Sequence, residues 1–279
     1  MVLGITGSTG ALGRLVARAL SEQGIEQRLL VRDPARAPEL AGASTTRTSY
    51  ADPELARASL EGVTTLFMVS GAEAADRLQQ HRTFLDAAAD AGVEHVVYTS
   101  FLGAAEDCTF TLGRDHWATE EHVRALGLGH TFLRDAFYLD FLPDLVGEDG
   151  VIRGPAGDGR VAAVTRADIA RSAVAVLADP AAHQDRTYDL TGPEALSFDE
   201  VAALLTAHTG RTVTYHDESV EEAYASRLRW PAPQWQYDAW VSTYTAIAAG
   251  ELATVSDHVE RLTGREPTGL ASYLTEEGR

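Results

Sequence analysis

Three glycines near the start of the chain have the spacing of a loop that holds a phosphate group. Gly7, Gly10 and Gly13 form a G-x-x-G-x-x-G pattern, which follows a strand predicted over residues 2–6 and opens a helix predicted over residues 11–23. Glycine lets the backbone turn sharply and approach a pyrophosphate, whose charge then meets the amino end of the helix. The pattern predicts a dinucleotide site; the alternative is a glycine-rich turn without a ligand.

Arg32 follows the second predicted strand, residues 27–31, where the residue type distinguishes two nicotinamide cofactors. An arginine there can pair with a 2′-phosphate, whereas a carboxylate would accept from a ribose 2′-OH. Arg32 therefore favours NADPH. The neighbouring Asp33 keeps NADH possible, and a third interpretation makes Arg32 an ordinary surface arginine.

His116 and Glu120 are four residues apart in a helix predicted over residues 116–126, so both fall on one helix face. A neighbouring carboxylate favours the imidazolium form, and His116 would then donate a proton near neutral pH. In many nicotinamide-dependent reductases a Tyr and a Lys with this spacing do that work. The alternative is a surface pair that only supports the helix.

The chain has no lysine: all 23 basic residues among its 279 are arginine, against 41 acidic residues. This excludes a lysine nucleophile, a Schiff base and the Tyr–Lys proton pair. Hydride addition to a ketone gives a strongly basic alkoxide that needs a positioned acid, whereas addition to a quinone gives a weakly basic hydroquinone anion. The composition therefore favours quinone-like acceptors over simple ketones.

Charge and composition also bound the location and the partners of the protein. The formal net charge of −18 argues against binding to nucleic acid or to an anionic membrane. One cysteine, Cys108, cannot form an internal disulfide, and no stretch approaches the roughly 20 apolar residues of a membrane span. The histidines lack metal-ligand spacing. We expect a cytoplasmic protein with a small aromatic or quinone substrate and no metal, in which a homodimer is possible.

Strands and helices alternate through the first 150 residues, which predicts an α/β fold with a Rossmann-type, doubly wound parallel sheet. Later strands are predicted over residues 63–69, 93–99, 130–133 and 187–190, and later helices over residues 54–60, 74–91, 167–177 and 198–208. The pattern changes near residue 150. We therefore predict an NAD(P)-binding domain over residues 1–150 and a smaller C-terminal substrate-side subdomain over residues 151–279.

Short motifs along nearly the whole chain resemble the NmrA-like, atypical short-chain dehydrogenase/reductases, and within them the NAD(P)H:quinone oxidoreductases of type 2. Besides the glycine loop and Arg32, the motifs are Gly62-Val63, Val69-Ser70, Val97-Tyr98-Thr99-Ser100, His116 with Glu120, Leu133-Arg134, Ala156-Gly157-Asp158-Gly159-Arg160 and Thr165-Arg166-Ala167-Asp168. The resemblance implies a Rossmann fold and NADPH-dependent reduction of quinones. The family also contains catalytically silent NAD(P) sensors, so membership alone does not prove chemistry.

The resemblance also implies roles for individual residues. The cofactor phosphates would be bound by Gly7, Thr9, Gly10, Ala11, Leu12 and Arg32. The loop along the cofactor would contain Ser70 and Gly71, and the strand end beside the nicotinamide would contain Thr99, Ser100 and Phe101. Ser100 joins His116 and Glu120 as a candidate catalytic residue. Phe137 and Tyr138 would face the substrate.

Aromatic residues concentrate late in the chain and could form a stacking wall for a flat substrate. They are Trp230, Trp235, Tyr237, Trp240 and Tyr244. Of these, Trp230, Trp235 and Trp240 are our candidate substrate contacts. The alternatives are a hydrophobic core or a dimer contact.

Together these observations predict an NAD(P)H-dependent oxidoreductase that passes hydride to a quinone or quinone-like aromatic substrate, with polyketide tailoring as a candidate role. One alternative is reaction of the reduced product with O2, which would give net hydroxylation without flavin or metal. A second alternative is a non-catalytic NAD(P) redox sensor that binds a protein partner.

Overall fold

The structure is a computed structural model that describes residues 2–277, and these form two compact units. The first unit contains the described residues up to Ser100, with Asp115–Arg134 and Ile169–Tyr188. The second contains Phe101–Arg114, Asp135–Asp168 and the described residues from Asp189 onward. The division into domains 1–150 and 151–279 stays a prediction, because a compact unit need not be a separately folding domain.

Eleven strands occur in the described part of the chain. They are β1 (Leu3–Thr6), β2 (Gln27–Val31), β3 (Ala43–Arg47), β4 (Thr65–Met68), β5 (His95–Phe101), β6 (Gly129–Asp135), β7 (Val151–Gly154), β8 (Arg160–Val161), β9 (Arg186–Leu190), β10 (Leu196–Ser197) and β11 (Thr214–Asp217). Seven of them form one sheet in the order β3-β2-β1-β4-β5-β6-β9. Two small sheets, β8 with β10 and β7 with β11, belong to the second unit.

Within residues 2–277, ten α-helices connect or follow these strands. They are α1 (Ala11–Glu22), α2 (Pro53–Leu60), α3 (Arg77–Asp90), α4 (Thr111–Ala125), α5 (Arg166–Ala178), α6 (Phe198–Thr209), α7 (Val220–Arg227), α8 (Gln234–Ala248), α9 (His258–Thr263) and α10 (Leu270–Glu277). Asp52 caps α2 by accepting from the Leu55 N–H, and Ser197 caps α6 in a capping box with Glu200.

The central sheet has the parallel, doubly wound order that the strand–helix alternation predicts. Strand β1 pairs in parallel with β2 and β4, β2 with β3, and β4 with β5. Strand β4 is buried throughout, as expected when helices cover both faces of a sheet. Strand order reverses between β1 and β4, and α/β folds bind ligands outside the carboxyl ends of strands at such a point. The predicted Rossmann-type fold is confirmed.

Some element bounds differ from the sequence prediction, for local physical reasons. Strand β3 was not predicted, because Ala43–Arg47 lies at the sheet edge and has no buried residue. Helix α4 begins at Thr111 instead of residue 116, and α3 begins at Arg77 instead of residue 74. In α4, Gly113, Arg114 and Asp115 interrupt the hydrophobic pattern that marks where a helix begins, whereas Ala74 and Ala75 extend that pattern beyond the start of α3.

The single cysteine lies in the second unit and is buried. Its Sγ donates to the Phe110 carbonyl at 3.3 Å, and burial raises the pKa of the Cys108 thiol. A Cβ added at Gly113 would come within 2.8 Å of this sulfur. Across residues 2–277 no helix is long and apolar enough to cross a membrane.

Candidate active site

The glycine loop after β1 is closely packed, and two of its glycines cannot be replaced without strain. Gly7 has φ +69°, and a Cβ there would lie 2.8 Å from the Cβ of Val69. A Cβ at Gly13 would overlap the carbonyl oxygen of Gly7. The Gly10 N–H donates to that same oxygen at 2.8 Å. The loop therefore brings bare backbone to the amino end of α1.

The amino end of α1 has the properties of an anion site. Gly10 is the N-cap residue, no side chain caps the helix, and no acidic residue occupies its first turn. The Ser8 hydroxyl beside it is fully buried and has no hydrogen-bond partner. Free N–H groups and the helix dipole favour a phosphate here. These residues therefore fit a dinucleotide pyrophosphate.

The other predicted phosphate residues of this loop differ in exposure. Thr9 is half-buried, and Gly10 and Ala11 are exposed. The side chain of Leu12 packs in the core, so only its backbone is available to a ligand. The predicted contact at Leu12 therefore reduces to a main-chain contact.

Arg32 is exposed directly after β2, as a residue that reaches a ligand must be. The competing Asp33 is occupied locally, because its Oδ1 accepts from the Ala35 N–H at 3.1 Å and caps a short turn. A carboxylate held by its own turn is less available to a ribose hydroxyl. This geometry favours a 2′-phosphate bound by Arg32.

Ser70 and Gly71, which follow β4, are held by hydrogen bonds on several sides. The Ser70 N–H donates to Thr99 Oγ1 at 2.8 Å, and the Gly71 N–H donates to His81 Nε2 at 2.8 Å. Arg77 Nε donates to the Gly71 carbonyl at 2.9 Å. The backbone of the predicted cofactor loop is thus fixed by buried side chains of the first unit.

His116 is buried, and its protonation state follows from its partners. Arg77 Nη2 lies 2.9 Å from His116 Nε2, and an arginine can only donate, so Nε2 must be unprotonated. Nδ1 then carries the proton and faces Tyr98 Oη at 3.0 Å. Burial, with the Arg77 and His81 charges, holds the pKa of His116 well below its usual range. The prediction that His116 is protonated near neutral pH is therefore wrong.

A second buried histidine extends this arrangement. His81 Nε2 accepts from Gly71, so Nδ1 carries the proton and faces Thr119 Oγ1 at 2.9 Å. Burial and the Arg77 charge lower the pKa of His81 to about 3. We call Arg77, His81, His116, Tyr98 and Thr119 the histidine–arginine network. Both of its imidazoles are neutral, and each ring nitrogen has a partner.

Glu120 is completely buried and serves as the anchor of several polar groups. Arg134 donates to both of its oxygens, at 2.8 and 2.7 Å, and Arg124 donates at 3.3 Å. Ser100 Oγ donates to Glu120 Oε1 at 2.6 Å. The surface-pair alternative is therefore wrong for both Glu120 and His116. Glu120 positions Ser100, and the cation beside His116 is Arg77.

Two residues that the sequence interpretation missed are central to this unit. Tyr50 Oη lies 2.7 Å from both Thr6 Oγ1 and the Val69 carbonyl, and its ring stacks on Phe84 at 4.4 Å. Arg77 is 4% exposed. No local signal marks Tyr50. Arg77 and His81 are four residues apart, the same spacing that puts His116 and Glu120 on one helix face.

In the second unit, the predicted aromatic residues lie in separate environments. Phe101 packs on Phe110, with ring centroids 4.8 Å apart. Phe137 and Tyr138, which follow β6, are half-buried, and both contact Phe141. The Tyr138 hydroxyl donates to Asp135 Oδ2 at 3.2 Å. Asp135 is thus a further polar residue that the site prediction did not include.

The three tryptophans differ in position. Trp230 precedes α8, is half-exposed and has the guanidinium of Arg229 3.9 Å from its ring centroid. Trp235 and Trp240 lie in α8 and are partly exposed. A stacking wall made by all three stays a prediction. Among residues 2–277 no group of three or more His, Cys, Asp or Glu side chains is arranged to hold a metal ion.

Comparison with known proteins agrees with this geometry. Residues 2–270 match the model of the NmrA-like family. The chain is 34% identical to an NAD(P)H azoreductase of Xenophilus azovorans, over 96% of the chain and 95% of that protein. It is 33% identical to quinone oxidoreductase 2 of Escherichia coli, over 98% of each. A solved structure of the NADPH-dependent quinone oxidoreductase of Escherichia coli with NADPH matches all of both chains, with a TM-score of 0.91 and 31% identity.

Proposed function

The chain belongs to the NmrA-like family, and on that premise we propose that it is an NADPH-dependent oxidoreductase that reduces quinone-like or azo aromatic compounds. The observation that carries the proposal is the glycine loop packed against an uncapped helix, with Arg32 exposed at the end of β2. The azoreductase and the quinone oxidoreductase that resemble the chain over nearly its full length support the reaction class.

The cofactor would be held by two groups of the first unit. The free N–H groups that begin α1 bind the pyrophosphate, and the Arg32 guanidinium binds the 2′-phosphate. When bound, NADPH supplies a hydride. NADH stays possible as a weaker cofactor, since it lacks the phosphate that Arg32 recognises.

The buried histidine–arginine network supports an acceptor whose reduced form is a weak base. With no lysine in the chain and His116 held neutral, neither a Tyr–Lys pair nor an imidazolium at position 116 is available. A hydroquinone anion needs little help from an acid. The roles of His116, Glu120 and Ser100 change accordingly: Glu120 orients Ser100 beside the cofactor, and His116 with Arg77 holds the Gly71 loop.

Five further functional statements and four substrate contacts remain predictions from the sequence. Net hydroxylation through O2, polyketide tailoring, a sensor role, a homodimer and a cytoplasmic location all stay predictions. Substrate contacts at Phe137, Trp230, Trp235 and Trp240 also stay predictions.

The first experiment mixes the protein with NADPH or NADH and a panel of quinones and azo dyes, and follows the nicotinamide absorbance and oxygen uptake. We expect NADPH oxidation with at least one acceptor. Measurable NADPH binding without oxidation by any acceptor would reject the enzyme and favour the sensor. Oxygen consumption with a hydroxylated product would favour the hydroxylation alternative.

The second experiment tests the cofactor assignment with Arg32→Ala. A hydrogen-bonded charged group contributes about 1.5–3 kcal/mol, so NADPH affinity should fall roughly 10- to 100-fold while NADH affinity changes little. Arg36→Ala, an exposed arginine of the next turn, is the control. An unchanged ratio of NADPH to NADH affinity in Arg32→Ala would refute the assignment.

A further inference from the structure

The carboxyl group of Asp135 has an unusual environment in the second unit. Asp135 ends β6, at the carboxyl edge of the sheet, and is 1% exposed. Its Oδ2 accepts from the Tyr138 hydroxyl at 3.2 Å, while its Oδ1 is buried and has no hydrogen-bond partner. Buried polar atoms are nearly always paired, so an unpaired carboxyl oxygen points to proton chemistry or to a ligand.

Burial with one neutral hydrogen bond makes the ionised form of Asp135 costly, because a carboxylate in water is solvated on both oxygens. The desolvation raises the pKa of Asp135 well above its usual range, and it raises that of Tyr138 as well. Burial therefore favours the protonated forms of both groups. A protonated Asp135 can donate to Tyr138 Oη, which leaves the Tyr138 O–H free to point elsewhere.

Two further charged groups act on Tyr138, with opposite signs. Arg166 favours the ionised form of Tyr138, and Asp140 opposes it. These two form an ion pair with each other, Arg166 Nε to Asp140 Oδ1 at 3.1 Å. Phe141 stacks on Tyr138 with ring centroids 5.9 Å apart and shields one face of the phenol. Tyr138 as a residue is half-buried and Asp135 is fully buried, so Tyr138 is the outer member of the pair.

We propose that Asp135 and Tyr138 form a proton relay that protonates the reduced acceptor, an inference that rests on the proposed function. The acceptor receives a hydride, with its electron pair, from NADPH, and carries the negative charge on an oxygen or nitrogen atom. The Tyr138 O–H bond breaks and its proton joins that atom. The Asp135 proton passes to the Tyr138 phenolate, and water returns a proton to Asp135. The sum is acceptor, NADPH and one proton giving the reduced acceptor and NADP⁺.

With the relay, the protein can also reduce acceptors whose reduced form must be protonated by an acid. A hydroquinone anion is weakly basic and hardly needs the relay. A reduced azo group would leave charge on nitrogen, which is a much stronger base, so azo dyes should depend on the relay far more than quinones do.

The kinetic test compares Asp135→Asn and Tyr138→Phe with the wild type on one azo dye and one quinone. General acid catalysis contributes about 10²–10⁴-fold. We expect kcat for the azo dye to fall at least about tenfold in both variants and the quinone rate to change less than about threefold. The dissociation constant of NADPH should stay the same. The decline of the wild-type azo rate at high pH should disappear in Asp135→Asn.

A matched control exists in the same unit. Tyr224 Oη donates to Asp238 Oδ1 at 2.8 Å, and both residues are partly exposed. Tyr224→Phe and Asp238→Asn should leave both acceptor rates unchanged. Wild-type azo rates in Asp135→Asn and Tyr138→Phe would overturn the relay, as would an equal loss on both acceptors, which a merely structural role would cause.

A measurement on the protein without cofactor separates this inference from the proposed function. Infrared difference spectra between wild type and Asp135→Asn at pH 7 should contain the carbonyl band of a protonated carboxylic acid. An ionised carboxylate band alone would overturn the relay even if NADPH is oxidised. If the acid band is present but no acceptor oxidises NADPH, the proposed function fails and the acid assignment of Asp135 survives.

Discussion

Two buried polar clusters, the histidine–arginine network of the first unit and the Asp135–Tyr138 pair of the second, differ in how completely their members are paired. In the first unit, both imidazoles of the histidine–arginine network use both ring nitrogens, and Glu120 receives donors on both oxygens. In the second, Asp135 leaves one oxygen unpaired. A fully paired network fixes geometry, because any movement loses a hydrogen bond. A partly paired group can exchange a proton without breaking a structure.

The same difference sets opposite responses to pH. The pKa values of His81 and His116 are lowered, so acid disturbs the first unit. The pKa of Asp135 is raised, so alkali disturbs the second. Burial therefore favours the neutral forms of His81, His116 and Asp135. The following three changes should either sharpen this contrast or abolish it.

The largest effect should follow removal of the anchor carboxylate. Glu120→Ala leaves the Arg134 and Ser100 donors without their acceptor, and breaking a buried ion pair from one side costs about 3–5 kcal/mol. Since Arg134 is partly exposed, we expect a loss near 3 kcal/mol in urea unfolding. Glu121→Ala, its exposed neighbour, should cost less than about 1 kcal/mol. Equal losses in the two variants would contradict the anchor role.

A smaller effect should appear on the acid side of the stability curve. The folded pKa of His81, about 3, lies below the unfolded value of 6.5, so its contribution is complete above pH 6.5 and is lost as the pH falls towards 3. The slope is up to about 1.4 kcal/mol per pH unit for each such histidine. His81→Gln, which keeps an acceptor for Gly71, should flatten the decline between pH 6.5 and 4.

His122→Gln is the control for that acid response. His122 is partly exposed and forms a surface ion pair with Asp86. The variant should keep the wild-type slope in unfolding free energy against pH. A slope in His81→Gln that equals the wild type would mean that His81 is not held neutral by its surroundings.

The third effect should appear on the alkaline side. The folded pKa of Asp135 is raised above the unfolded 3.8, so its stabilising contribution is present below that value and is lost as the pH rises through the folded pKa. Asp135→Asn cannot ionise, so between pH 5 and pH 9 it should lose less unfolding free energy than the wild type, by up to about 1.4 kcal/mol per pH unit. Asp238→Asn should gain nothing. Parallel stability curves for Asp135→Asn and wild type would remove the contrast between the units.

The features that the sequence predicted well depend on local patterns. The glycine loop, the Arg32 position and the strand–helix alternation are each contained within a few residues, so spacing alone reveals them. The charge of His116 could not be predicted that way. Its decisive partner is Arg77, 39 positions earlier, and only the folded chain brings that guanidinium to the imidazole.

The unpaired Oδ1 of Asp135 is a feature that sequence patterns cannot predict. Whether a carboxyl oxygen has a partner depends on every atom packed around it, and no spacing rule counts those atoms. Strand β3, at the sheet edge, was not predicted for a related reason. Its pairing with β2 stabilises residues that have no apolar pattern. Sequence patterns therefore predict individual helices and strands. The structure is needed to show which buried polar groups lack a hydrogen-bond partner.

Because Cys108 is buried, the reaction of its thiol with a reagent can report local opening of the second unit. It is the only thiol in 279 residues, and burial both shields its sulfur and raises its pKa, which lowers its reactivity. A thiol reagent should therefore modify the protein mainly during local openings that expose the sulfur. The rate at which Cys108 is labelled would measure how often the second unit opens locally under native conditions. No introduced probe is needed, and no other cysteine contributes background.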